Sequence, residues 1–148
     1  MGGHHRGNAS RLGATPALSV LVDTNVLIRH LTGDPSEQAA RATRLLSEER
    51  DLVVPDLVIA EMVYVLESVY GALRPTVAAA VRSVLTFDSI HVADESLLLR
   101  TVEVYEFGRL HFAESYLIAM AERTGIGVIA SFDRSIDRVG TVRRVEPA

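Results

Sequence analysis

Four acidic residues interrupt apolar runs. Asp23 closes LSVLVD, Glu61 lies within LVIAEMVYVLE, Glu114 within LHFAESYLIAMAER, and Asp133 follows VIASF. An ionised carboxylate among apolar neighbours is costly unless it meets a cation or is protonated. Each also has an ordinary structural reading. Asp23 suits the N-cap of a following helix. Glu61 suits a pair with one Arg, or an exposed helix edge. Glu114 in a first helical turn complements the dipole, and Asp133 suits a turn. As a set, two acids after strands and two on helices supply oxygen donors. Carboxylates gathered closely repel one another, and a hard divalent cation, Mg²⁺ or Mn²⁺, resolves that repulsion.

Polar neighbours extend the pattern. Thr24 and Asn25 follow Asp23, Ser131 ends the apolar run before Asp133, and Asp137 lies four residues beyond it. Arg29, Arg109, Arg134 and Arg138 stand near these acids in sequence and are candidates for holding flanking phosphates. Arg134 and Arg138 equally suit pairs with Asp133 and Asp137. His30, His91 and His111 are scattered and read as surface or interface residues; His111, close before Glu114, is the one of interest.

Composition narrows the chemistry further. The chain has 148 residues, no Cys, and fifteen basic residues that are all Arg. No thiol nucleophile, thiolate metal site, Schiff-base lysine or phosphate-loop lysine is available. Net charge is −4; residues 18–148 carry −6, because the first 17 hold two Arg and no acid. Acidity weighs against a generic nucleic-acid binder, but each divalent cation offsets two charges.

The elements that must position these residues alternate. Residues 1–17, rich in Gly and small residues, read as a flexible tail, native or an expression remnant. They lack a signal peptide's apolar core, and no run is long enough to span a membrane, so a cytoplasmic location is expected. Residues 18–148 read as a single domain. Leu18–Val22 predicts a buried strand and Val26–Leu31 a short helix ending at Gly33. A helix runs from the Asp34-Pro35-Ser36 start to about Glu49, and Leu52–Val54 is a second strand. Asp56 is placed to N-cap a helix reaching Tyr70, apolar almost all round and therefore expected to be largely buried. Pro75 opens a helix to about Leu85, and Ile90–Ala93 is a third strand. Helices follow at roughly 94–107 and 112–124. Gly127–Ser131 is a fourth strand and Val142–Val145 a candidate fifth. The pattern is that of an α/β sandwich with a mostly parallel sheet of four to five strands, whose ligands collect beyond the carboxyl ends of the strands.

The segments LVDTNVLIR, VIAEMVYVLE, FAESYLIAMA and VIASFDRSID, in that order, resemble the motifs of PIN-domain ribonucleases. Within that superfamily the chain is most similar to VapC-type toxins of prokaryotic toxin–antitoxin pairs, over about residues 18–146. The resemblance implies a three-layer α/β/α sandwich and Mg²⁺-dependent (or Mn²⁺-dependent) endonucleolytic cleavage of RNA. It places the family's acids on Asp23, Glu61, Glu114 and Asp133, with Asp137 as an additional metal ligand and Thr24, Asn25 and Ser131 in support. Two departures stand out. Glu114 replaces the usual Asp, moving the carboxylate about 1.5 Å along the side chain. His111 replaces an Asp often found three residues earlier.

On this reading Asp23, Glu114 and Asp133 hold a metal ion, and Glu61 completes the shell or orients water as general base. The resemblance also implies a cognate antitoxin that occludes the acids, and a homodimer, for which helices 56–70 and 75–86 are candidates. Two rivals come from other classes. A non-catalytic PIN-like module would bind RNA or protein with a degraded metal site. A phosphatase with an Asp-x-Asp nucleophile pair would need an acid where Asn25 stands.

Overall fold

The computed structural model describes residues 19–148; the expected tail at 1–17 lies outside them. The chain divides into two compact units, one ending at Glu95 and one starting at Ser96.

The first unit is built on three parallel strands, β1 (Val20–Leu21), β2 (Leu52–Val53) and β3 (Ile90–His91), in the order β1-β2-β3. Val20 pairs with Leu52, and Leu52 with Ile90. Parallel neighbours need long crossovers, which helices provide here: α1 (Thr24–Thr32) and α2 (Ser36–Glu48) before β2, then α3 (Asp56–Ser68) and α4 (Arg74–Leu85) before β3. Leu52 and Ile90 on the strands, Val54 and Val92 just beyond them, and Leu27, Leu46, Ile59, Met62, Val77 and Val81 on the helices are almost fully buried. Each such side chain contributes about 1.5–3 kcal/mol of burial.

Three local expectations are corrected. The first strand was read as buried, yet Val20 and Leu21 are 45% and 73% exposed. β1 is an edge strand of this sheet, and only Val22 beyond it turns into the core. Asp56 is the first residue of α3 rather than its cap; Pro55 takes the cap position and makes no side-chain hydrogen bond there. Finally, α3 is not largely buried. It buries Ile59, Met62, Val63 and Leu66, and exposes Leu57, Glu61 and Tyr64. A helix lying on a sheet covers only one stripe of its surface, whatever the opposite face is made of.

The second unit starts with α5 (Glu95–Gly108) and α6 (Phe112–Thr124), followed by β4 (Val128–Ala130), a 3₁₀ turn (Arg134–Arg138) and β5 (Arg143–Val145). β4 and β5 are parallel, with Ile129 opposite Arg144. Val104, Leu110, Ile118, Ala121, Ile129 and Ile136 form its core. Tyr105 and Phe112 meet edge to face at 5.8 Å. Gly125 ends α6 at φ 76°, a left-handed conformation that glycine adopts without penalty. Arg100 of α5 forks onto Glu122 of α6, Nε to Oε1 at 2.8 Å and Nη2 to Oε2 at 2.9 Å. That contact and the Thr141 hydroxyl hold Glu122 below the usual carboxylate range.

The α/β class and the parallel pairing match expectation. Among the described residues the five strands form a ladder of three and a ladder of two.

Candidate catalytic carboxylates

In the first unit, Asp23 follows β1 and caps α1, and its Oδ1 accepts the backbone N–H of Thr24 at 2.7 Å. Thr24 is buried, and its hydroxyl donates to Glu61 Oε2 at 3.0 Å. Both carboxylates therefore meet one threonine, through its amide and its hydroxyl. Strand-then-cap geometry places Asp23 at a carboxyl end of the sheet, where α/β folds put their sites. Of the readings open to Glu61, the structure shows the exposed helix edge rather than burial or a pair with Arg, and its partner is a hydroxyl. Asn25 is exposed in the first turn of α1.

In the second unit, Asp133 follows β4 and caps the 3₁₀ turn. Its N–H donates to Ser131 Oγ at 2.9 Å, and its Oδ1 accepts the N–H of Ser135 at 2.9 Å. The hydroxyl and amide of Ser135 hold this carboxyl below its ordinary range, with smaller contributions from His111 and Arg138. Glu114 lies in the first turn of α6, behind His111 at the cap position. Its Oε2 is buried with no hydrogen-bond partner among the described residues. A buried carboxylate oxygen left this way is costly, and a hard cation is the group that would satisfy it.

The remaining candidates separate. Asp137 is held by Arg144, Nε to Oδ1 and Nη2 to Oδ2, both at 3.1 Å. Arg144 was not singled out in the sequence, because its register opposite Ile129 is a product of β4–β5 pairing. Arg138 donates to the carbonyl of Arg109 at 3.0 Å instead of pairing with Asp137. Arg109 itself sits at φ 58°, a left-handed conformation costing roughly 1–2 kcal/mol for a residue with a Cβ. Arg134 is exposed. Arg29 donates from Nε to Gln38 Oε1 at 2.8 Å. His91 is a core residue whose Nε2 lies 2.9 Å from the Arg50 carbonyl, and His30 meets Thr43 and the edge of Phe87. Within each unit, no three His, Asp or Glu side chains of the described residues stand together as a metal-binding group. No helix among the described residues is long and apolar enough to cross a membrane.

Residues 20–142 match the family profile described as the PIN domain. The chain is also similar to the VapC ribonuclease of Aquifex aeolicus (strain VF5). The two are 28% identical over 123 residues, which cover 81% of this chain and 91% of that relative.

Proposed function

The chain belongs to the PIN-domain family, and from that premise we propose that it is a metal-dependent endoribonuclease, the toxin of a toxin–antitoxin pair. The proposal takes residues 18–148 as one catalytic domain of a cytoplasmic protein. The observation that carries it is the state of the acids. Asp23, Glu61 and Glu114 have no ion pair with any Arg or His among the described residues, in a chain with fifteen Arg. Acids kept clear of arginine suit a cation.

Asp23, Glu114 and Asp133 would hold the ion, with Mg²⁺ preferred and Mn²⁺ as substitute. What the ion supplies when bound is positive charge against the scissile phosphate and a water of lowered pKa. Thr24 donates to Glu61 Oε2, which leaves Oε1 to take the proton of the attacking water. In-line attack on phosphorus breaks the P–O3′ bond, so the products carry a 5′-phosphate and a 3′-hydroxyl. Ser131 and Ser135 orient Asp133. Asp137 stays outside the proposed metal set, in its fork with Arg144. Arg109, Arg134 and Arg138 are proposed to meet RNA phosphates. Asn25 lies beside Asp23 and extends the polar surface at the start of α1.

The test is incubation of purified protein with structured RNAs, with Mg²⁺ or with EDTA. Cleavage is expected with Mg²⁺ only, and none from Asp23→Asn. Cleavage that persists in EDTA or in that variant overturns the metal mechanism. A cognate antitoxin is the proposed partner, with an Arg from it inserted among the carboxylates as the inhibitory device. A homodimer is proposed through α3 and the turn after it, where Leu57, Tyr64, Val69 and Leu73 are 68–78% exposed. Light scattering that finds only monomer at micromolar concentration removes the dimer.

A further inference from the structure

The groove between α1 and α2 carries a feature that the carboxylate chemistry does not use. Asn25, Val26 and Arg29 of α1 and Gln38, Arg41, Ala42 and Leu45 of α2 line a cavity of about 450 Å³. The spacings 25, 26, 29 and 38, 41, 42, 45 each put one helix face against the cavity. Among the described residues its polar lining is two guanidinium groups and two carboxamides, with no acid. Arg29 Nε is anchored on Gln38 Oε1 at 2.8 Å. That bond orients the guanidinium plane and leaves both Nη groups without a partner among the described residues. Arg41, exposed and three residues from Gln38, has neither a hydrogen bond nor an ion pair among them. Two guanidinium groups, one of them fixed in plane, on a groove whose described lining holds no acid suit an anion. Val26, Ala42 and Leu45 give the same cavity an apolar wall.

We propose that this groove holds a phosphate–ribose unit of the RNA strand, with the phosphate on Arg29 and Arg41 and the sugar against Val26, Ala42 and Leu45. The inference rests on the ribonuclease reading and adds a strand path to it. RNA is favoured over an acidic protein segment because the groove begins at Asn25, two residues from Asp23. A strand with its scissile phosphate at Asp23 continues naturally along α1.

The experiment measures binding of a labelled single-stranded RNA by fluorescence anisotropy, using Asp23→Asn to prevent turnover. Adding Arg41→Ala is expected to weaken binding about tenfold. It should also make the slope of log affinity against log salt less negative by about 0.7, the value for one lost phosphate contact on a single strand. Arg41→Lys should recover part of the affinity. In the chain that retains Asp23, the Arg41→Ala defect should fall on KM rather than kcat. Unchanged affinity and salt slope overturn the proposal. If that result comes with loss of a co-expressed protein partner, the groove docks protein instead. Failure of the ribonuclease reading is distinguishable: Mg²⁺-dependent cleavage is then absent from the unmutated chain, whereas the anisotropy comparison still judges the groove.

Discussion

Thr24 donates its hydroxyl to Glu61 Oε2 at 3.0 Å while its backbone N–H meets Asp23 Oδ1 at 2.7 Å. One buried residue thus ties an acid at the end of β1 to an acid on α3 that lies 37 positions beyond Thr24 in sequence. The amide contact caps a helix, and the hydroxyl contact orients a carboxylate that is otherwise exposed to solvent.

Replacing Thr24 by Val keeps the shape and removes the hydroxyl. The helix cap survives, because it uses the backbone. We expect a stability loss of about 1 kcal/mol, one hydrogen bond. The cleavage rate should fall roughly tenfold, corresponding to about 1.4 kcal/mol in the barrier, as Glu61 loses its orientation. Thr24→Ser should restore most of the rate. Single-turnover kinetics and urea denaturation on the same preparations check both halves. A Val variant of full activity would show that the contact has no catalytic role.

Glu114 makes opposite predictions for stability and function. Its buried Oε2 lacks a partner among the described residues, so Glu114→Gln removes a carboxylate that nothing there compensates. In EDTA the Gln variant should melt at or above the temperature of the unmodified chain. Added Mg²⁺ should raise the melting temperature of the unmodified chain by mass action and leave the variant's unchanged. Glu114→Asp tests the longer side chain directly. Calorimetric melts with and without Mg²⁺ decide the matter, and equal Mg²⁺ stabilisation of both chains would place the ion elsewhere.

Asp133 sets a dependence on acid. Hydrogen bonds from Ser135, and the nearby His111 and Arg138, lower its folded pKa below its unfolded one. The unfolded state therefore binds the proton first as pH falls. The stability contributed by this group is fully present above the ordinary Asp value and is lost as pH drops through the depressed folded value. Asp133→Asn should remove that contribution at neutral pH and flatten the stability–pH curve below about pH 4, the ordinary Asp range. Denaturation midpoints across that range check it; an unaltered slope would mean the carboxyl is not held down.

Element order was legible from local signals. Val/Leu-rich runs marked the strands, Gly33 and Gly125 marked helix ends, and Pro75 marked a helix start, because backbone preferences act over a few residues. The acids at strand ends, Asp23 and Asp133, were legible for the same reason. The apolar run around Glu61 suggests burial, and the side chain is instead exposed. An apolar helix was equated with a buried one, whereas burial depends on what packs against each face. The missed residues, Arg144 and Gln38, act through partners that strand register and helix packing supply.

By itself, then, the sequence determined the succession of strands and helices and the chemistry on offer: carboxylates and guanidinium groups, with no thiol and no lysine. Both follow from residue type and local backbone preference. Only the tertiary structure decided the charge pairing, giving Asp137 to Arg144, leaving Glu114 Oε2 without a partner among the described residues, and turning Arg29 toward Gln38. The reason is that a Coulomb or hydrogen-bond contact depends on a distance of a few ångströms, and that distance is set by how elements far apart in sequence pack together.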